Sequence, residues 1–123
     1  MVEKLKKILI IDDEHSIRAT LKEILEFEKY IVETAQDGIE GYKMAEEKNF
    51  DLIFCDIKMP KIDGIETLKK IVENNILSLV VMISGHGDIE TAVQTLKIGA
   101  FDYIEKPLDL NRVLTCVRNA LDN

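Results

Sequence analysis

Polar side chains follow several of the short apolar runs in this chain, at the point where each run ends. They are Asp12, Asp13, Asp56, Ser84 and Lys106. Apolar runs of this length, bounded by polar residues, are typical of strands that are buried on both faces of a parallel sheet. Parallel strands end at the same edge of a sheet, where open α/β sheets bind their ligands. We therefore expect these side chains to lie close together.

The expected cluster is strongly acidic, and its charge limits the chemistry that it can perform. Its three carboxylates repel one another at close range, and the ammonium group of Lys106 offsets only one charge. Oxygen ligands without a nearby histidine or cysteine favour Mg²⁺. A carboxylate beside Mg²⁺, an ammonium group and a hydroxyl group suits phosphoryl transfer, with the carboxylate as the attacking group. Asp56 lies at the end of the central apolar run.

The order of apolar runs and helical periods predicts an α/β fold. Predicted strands cover residues 7–12, 30–35, 51–56, 79–84 and 101–105, and predicted helices cover about 16–28, 38–48, 64–74, 88–99 and 109–121. This alternation predicts a doubly wound, five-stranded parallel sheet with five helices on its two faces and right-handed crossovers. The flavodoxin-like strand order 2-1-3-4-5 places strands one and three together at the switch point. Residues 1–123 are expected to form one domain.

The helical periods also predict which side chains face the sheet and which residues cap the helices. Inward positions are predicted at Ile65, Leu68 and Val72 of the third helix, at Ile89, Ala92, Val93 and Leu96 of the fourth, and at Leu110, Val113, Leu114, Val117, Ala120 and Leu121 of the last. Ser16, Asp88 and Asp109 are predicted to cap the helices that they begin.

Composition narrows the classes of function. A formal net charge of −7 argues against direct nucleic-acid binding, which needs a basic surface. No apolar run approaches the length of a membrane span and no signal peptide is recognisable, so a cytoplasmic location is expected. Cys55 and Cys116 fall in a predicted strand and a predicted helix, which favours buried, reduced thiols over a disulfide or a metal pair.

The spacing of the polar residues at the strand ends resembles the receiver domain of two-component response regulators. The matching positions are Asp12-Asp13, Asp56, Ser84 and Lys106-Pro107, and the resemblance covers the whole chain. The segments 84–87 and 99–104 further resemble receivers of the NtrC type, which regulate sigma-54-dependent transcription.

The resemblance implies a role for each residue at the acidic edge. Asp56 is expected to be phosphorylated, and Asp13 and Asp56 to bind Mg²⁺ directly together with the backbone carbonyl of Lys58. Asp12 is expected to act mostly through water. Ser84 and Lys106 are each expected to hold a phosphoryl oxygen.

The resemblance also implies features around this edge. Gly85 leaves room for the phosphoryl group, and the bond before Pro107 is expected to be cis. Tyr103 matches the aromatic residue that switches its position on phosphorylation. Lys58 and His86 occupy positions that tune autodephosphorylation in the family.

The expected partners follow from the same resemblance. A sensor histidine kinase or a phosphotransfer protein is expected to donate the phosphoryl group. The face made by the fourth helix, the fifth strand and the fifth helix is expected to change on phosphorylation and to form a weak homodimer or a contact with an effector domain. The expected output is transcriptional control, and a free-standing phosphorelay intermediate is the alternative.

Other functions and simpler interpretations remain open at this point. A Mg²⁺-dependent aspartyl-phosphate phosphatase would need a second Asp two residues after Asp56, where this chain has Lys58. A flavin-binding redox protein would share the strand order, but the acids after the first strand would repel its phosphate. Taken singly, Ser84 is more often a cap, Lys106 a surface charge and Tyr103 a half-buried strand residue.

Overall fold

The computed structural model describes residues 5–85 and 87–122, and its elements alternate along the chain. The strands are β1 (Lys7–Ile11), β2 (Ile31–Ala35), β3 (Leu52–Asp56), β4 (Leu79–Ser84) and β5 (Asp102–Glu105). The helices are α1 (His15–Phe27), α2 (Gly38–Glu47), α3 (Gly64–Glu73), α4 (Ile89–Ile98) and α5 (Leu110–Leu121). None of the described helices is both long enough and apolar enough to cross a membrane.

The sheet has the predicted order, β2-β1-β3-β4-β5, and all four pairings are parallel. Every residue of β3 is buried, because helices cover both faces of this central strand. In the register of the sheet, Ile11 is opposite Cys55 and Asp56 is opposite Ile83. The residues that follow β1 therefore lie beside the end of β3, as the strand order predicted.

Alternate side chains of the strands form two separate apolar cores. Ile8 and Ile10 of β1 belong to the core that is completed by α1 and α5. Leu9 and Ile11 point to the other face and pack in the core with α2, α3 and α4. Cys55 and Cys116 are both buried free thiols, as expected from the sequence.

The capping residues observed at the helix starts agree only in part with those predicted from the sequence. Asp109 caps α5, because its carboxylate accepts a hydrogen bond from the backbone N–H of Arg112 at 2.9 Å. The prediction that Ser16 caps the first helix is wrong: α1 begins at His15, and Glu14 occupies the cap position without a side-chain hydrogen bond. Asp88 occupies the cap position of α4, but its side chain makes no cap hydrogen bond.

Several apolar helical residues that were predicted to face the sheet are exposed instead. They are Val72 on α3, Ile89, Val93 and Leu96 on α4, and Leu110 on α5. Leu68 of α3 and Ala92 of α4 are buried as predicted, and the other buried residues of these two helices are Gly64, Thr67, Ile71 and Thr95. Close packing of a helix on the sheet buries only a narrow stripe, so an apolar face wider than that stripe extends into solvent.

Candidate functional site

Three carboxylates meet at the carboxyl end of β1 and β3. Asp12, Asp13 and Asp56 each offer an oxygen atom, and these atoms all lie within 4.8 Å of one another. Asp12 and Asp56 are buried, whereas Asp13 is exposed. The parallel pairing of β1 and β3 produces this arrangement, because it places the residues after Ile11 beside the last residue of β3.

The buried carboxylates are strained electrostatically. Burial, helped by the charge of Asp12, raises the pKa of Asp56 to about 7 against the opposing effect of Lys106. Burial likewise raises the pKa of Asp12, although the backbone N–H of Glu14 donates to Asp12 Oδ1 at 2.8 Å and opposes the shift. Both carboxylates are therefore poorly compensated when they are ionised.

One oxygen of this cluster is left without a hydrogen bond. Asp12 Oδ2 is buried and has no hydrogen-bond partner within residues 5–85 and 87–122. The Lys106 Nζ atom lies 3.6 Å from it, which makes an ion pair but exceeds hydrogen-bonding distance. Three carboxylates with an unsatisfied buried oxygen fit a hard divalent cation such as Mg²⁺, which takes oxygen ligands and compensates their charge.

Lys106 reaches the acidic cluster from the loop after β5, as predicted. Its Nζ atom lies 3.5 Å from Asp56 Oδ2 and 2.8 Å from Glu14 Oε1. Burial lowers the pKa of Lys106, but the Glu14 hydrogen bond and the charges of Asp56 and Asp12 outweigh it, so the pKa lies above its ordinary value. The bond between Lys106 and Pro107 is cis, as the family resemblance implied.

Glu14 is the residue of this site that sequence reasoning did not assign. Its carboxylate makes the shortest of the three ion pairs of Lys106. The available signal was its position directly after Asp12-Asp13, at the same edge of the sheet. An acid at a helix start is common on protein surfaces, so this position alone did not identify a contact.

Ser84 is buried at the end of β4, and its hydroxyl group contacts the neighbouring strand. The Oγ atom donates to the carbonyl oxygen of Ile104 at 3.4 Å. The backbone N–H of Lys106 donates to the carbonyl oxygen of Ser84 at 2.8 Å, which fixes the start of the Lys106 loop against β4. Ser84 therefore connects the acidic edge to β5.

Lys58 lies on the loop after β3, and its side chain points to α4. The Nζ atom is 3.2 Å from Asp88 Oδ2, and the Lys58 side chain is 78% exposed. The same loop comes back to the end of β3, and there the backbone N–H of Gly64 donates to the carbonyl oxygen of Ile57 at 2.7 Å. A Cβ atom at Gly64 would collide with the backbone carbonyl of Asp56, so the loop needs glycine there.

Tyr103 is half-buried on β5, beside an open groove of about 390 Å³. Arg112 of α5 donates to the carbonyl oxygen of Tyr103 at 2.7 Å and pairs with Asp102 at 3.1 Å. Ile89 lines the same groove from α4. The expected switch position on β5 thus shares a groove with residues of α4 and α5. His86, the other position expected to tune dephosphorylation, lies outside the described residues.

Comparison with known proteins places these features in a family. The sequence profile of the response regulator receiver domain matches residues 8–118. The transcriptional regulatory protein ZraR of Klebsiella oxytoca is 40% identical over 114 residues, which cover 93% of this chain and 26% of that protein. The nitrogen assimilation regulatory protein NtrX of Azorhizobium caulinodans is 42% identical over 117 residues, which cover 94% of this chain and 26% of that protein. The chain thus spans about a quarter of the length of these relatives.

Solved structures give the same result. A CheY-like receiver domain protein from Methanospirillum hungatei superposes with a TM-score of 0.90 at 38% identity, covering 97% of this chain and 95% of that one. The receiver domain of NtrX from Brucella abortus superposes with a TM-score of 0.89 at 37% identity, covering 94% of this chain and 98% of that one.

Proposed function

Because this chain belongs to the response regulator receiver domain family, we propose that it accepts a phosphoryl group onto Asp56 in a Mg²⁺-dependent reaction. The observation that carries this proposal is the meeting of three carboxylates within 4.8 Å, with the Lys106 ammonium 3.5 Å from Asp56. The donor is a phosphorylated histidine of a sensor kinase or of a phosphotransfer protein. The domain acts as a phosphoacceptor switch, and its only catalysis is of its own phosphorylation and dephosphorylation.

In this reaction a carboxylate oxygen of Asp56 forms a bond to phosphorus, and the bond between phosphorus and the donor histidine nitrogen breaks. Asp13 and Asp56, with the backbone carbonyl of Lys58, would hold Mg²⁺, and Asp12 would act mostly through water. The bound ion supplies positive charge that compensates the carboxylates and the phosphoryl oxygens. Asp56 must be ionised to attack, and because its pKa without metal is about 7, positive charge beside it increases the ionised fraction at neutral pH.

Lys106 and Ser84 then hold the new group. The Lys106 ammonium already lies near Asp56 and can bind a phosphoryl oxygen with little movement. The Ser84 hydroxyl has to leave the carbonyl of Ile104 to bind another. That hydrogen bond is long, at 3.4 Å, so exchanging it for a charged phosphoryl oxygen is favourable.

Movement of Ser84 provides a route to an output. When its hydroxyl turns toward the phosphoryl group, space opens beside β5, and Tyr103 can rotate into it. We infer that α4, β5 and α5 form the regulated face, because α4 exposes Ile89, Val93 and Leu96 there and Phe101 is exposed before β5. This face would form a homodimer or contact an effector domain, and the transcriptional regulators among the relatives favour control of transcription as the output. The cytoplasmic location expected from the sequence stays a prediction.

The acceptor can be tested with beryllofluoride, a phosphoryl mimic, and with a small phosphodonor. The wild-type domain should bind beryllofluoride in the presence of Mg²⁺ and become phosphorylated, whereas Asp56→Asn should do neither. Asp51→Asn, at the opposite end of the same central strand, is the matched control and should behave like the wild type. Undiminished phosphorylation of Asp56→Asn would refute the assignment.

A further inference from the structure

The closest partner of Lys106 is not the expected acceptor. Its Nζ atom lies 2.8 Å from Glu14 Oε1, compared with 3.5 Å from Asp56 and 3.6 Å from Asp12. Of these three contacts, only the one to Glu14 has the length of a charge-assisted hydrogen bond. The Lys106 ammonium therefore makes its closest contact with Glu14, although Asp56 and Asp12 also lie within ion-pair distance.

The backbone keeps Glu14 in this place. Its N–H donates to Asp12 Oδ1 at 2.8 Å, and its carbonyl accepts from the N–H of Arg18 at 3.2 Å in the first turn of α1. Glu14 occupies the cap position of α1, where Ser, Thr, Asp or Asn would normally bind a free N–H of the helix. Its side chain makes no such bond and extends to Lys106 instead.

We propose that Glu14 is a positioning residue that holds the Lys106 ammonium in the resting domain and competes with the phosphoryl group on Asp56 for it. This inference rests on the proposed function, because it concerns the same lysine. A phosphoryl group needs Lys106, so it binds only as the contact with Glu14 is lost or lengthened. The Glu14 side chain is 54% exposed, so water can hydrate the released carboxylate, and the competition is weak and reversible.

Two substitutions separate this contact from a general effect of charge. Glu14→Ala removes both the carboxylate and its charge. Glu14→Asp keeps the charge but shortens the side chain by one methylene group, so the carboxylate no longer reaches the ammonium. Glu23→Gln, on the exposed side of the same helix, is the control for a change in net charge.

Two measurements are needed for each variant. The first is the NMR signal of the Lys106 ammonium group in the metal-free domain, which reports the Glu14 contact without phosphoryl chemistry. The second is the affinity for beryllofluoride at saturating Mg²⁺. We expect Glu14→Ala and Glu14→Asp to shift the Lys106 signal and to raise this affinity about two- to fivefold, the range of an exposed ion pair. Glu23→Gln should change neither.

The outcomes distinguish the two proposals. If the wild-type domain does not bind beryllofluoride with Mg²⁺, the proposed function fails and this inference fails with it. If the wild type binds beryllofluoride but both Glu14 variants bind it no more tightly than the wild type, only this inference fails. It also fails if both variants leave the Lys106 signal unchanged. A gain in Glu14→Ala that Glu14→Asp does not reproduce would mean a plain charge effect and would also overturn it.

Discussion

The ammonium group of Lys58 lies 3.2 Å from the carboxylate of Asp88, and this ion pair connects the loop after β3 to the start of α4. Lys58 stands two residues after Asp56, and Asp88 stands four residues after Ser84. The pair therefore links the loops that carry the expected acceptor and the expected hydroxyl switch. The Lys58 side chain is 78% exposed, so its ammonium group can exchange between Asp88 and a phosphoryl group on Asp56, and the two contacts would compete for it.

Loss of the Lys58 side chain should shorten the lifetime of the phosphorylated domain, because less of the path of attacking water is then covered. Asp88→Asn should lengthen it, because the freed Lys58 ammonium can reach the phosphoryl oxygens. We expect changes of about two- to tenfold in the decay rate, which correspond to roughly 0.4 to 1.4 kcal/mol. Decay of the phosphorylated domain after removal of the donor measures both rates.

Lys61→Ala is a matched control for Lys58→Ala. Lys61 also lies 3.2 Å from an aspartate, Asp37, and it is similarly exposed, but that pair lies at the start of α2. Both lysine variants should change the free energy of unfolding by less than about 1 kcal/mol, since exposed ion pairs contribute little. Equal decay rates in Lys58→Ala, Asp88→Asn and the wild type would remove a role for this ion pair in phosphoryl lifetime.

The metal-free domain should lose stability as the pH rises. The pKa of Asp56 in the folded domain is about 7, above the ordinary value of 3.8, so folding favours its protonated form. The stabilisation is fully present below about pH 4 and is lost as the pH rises through about 7. The raised pKa of Asp12 acts in the same direction. Urea unfolding in EDTA at several pH values measures this slope.

Asp56→Asn should reduce the pH dependence of the free energy of unfolding, because the asparagine amide stays neutral at every pH in this range. A tenfold change in proton affinity corresponds to about 1.4 kcal/mol, so we expect the variant to be more stable than the wild type by about 2 to 4 kcal/mol near pH 8 without metal. Glu73→Gln, which removes an exposed carboxylate at the end of α3, should keep the wild-type slope. A wild-type domain whose stability rises between about pH 5 and 8 would contradict the prediction.

Asp13→Asn should weaken Mg²⁺ binding with little cost to the fold. Asp13 is exposed but offers an oxygen to the acidic cluster, so its removal lowers both the repulsion and the number of possible ligands. Thermal melts should show a slightly more stable variant in EDTA and a smaller stabilisation by Mg²⁺ than in the wild type. A variant that binds Mg²⁺ normally and is no more stable in EDTA would exclude Asp13 from the site.

The exposed apolar surface of α4 should control association. Val93 is 40% exposed on the proposed output face, and Phe27, which is 80% exposed, lies at the end of α1, outside that face. Sedimentation should show association that increases with beryllofluoride and Mg²⁺ in the wild type and in Phe27→Asp, but not in Val93→Asp. The proposed switch would be contradicted if beryllofluoride and Mg²⁺ neither increased association of the wild-type domain nor changed the NMR signals of Tyr103 and residues 88–106.

The strands and the acidic site were predictable from the sequence because burial on both faces leaves a strong signal. A strand such as β3 consists of consecutive apolar residues, and the polar residue that ends it stands out. Once the strand order is fixed, residues as distant as Asp12 and Asp56 have to lie at one edge. The cluster of Asp12, Asp13 and Asp56 needed no information about side-chain conformation.

The helical surfaces were less predictable, because an apolar residue at a possible interface looks the same as one in the core. Ile89, Val93 and Leu96 fit the helical period of α4, yet the sheet covers the face that carries Ala92 and Thr95. The pairing of Lys106 with Glu14 could not be predicted from the sequence either. Three acids compete for one ammonium group there, and differences of less than 1 Å decide which one forms the hydrogen bond.

The hydrogen bond between Lys106 and Glu14 joins residues that are 92 positions apart in the chain. Contacts of such high sequence separation form only after much of the chain has ordered, since they must overcome the entropy of closing a long loop. During synthesis Asp12 and Asp56 leave the ribosome before Lys106, so the ammonium group is the last of these charged groups to become available. On the proposed function, a nascent or partly folded chain in which β5 has not docked should therefore be a poor phosphoryl acceptor, because it lacks the Lys106 ammonium beside Asp56.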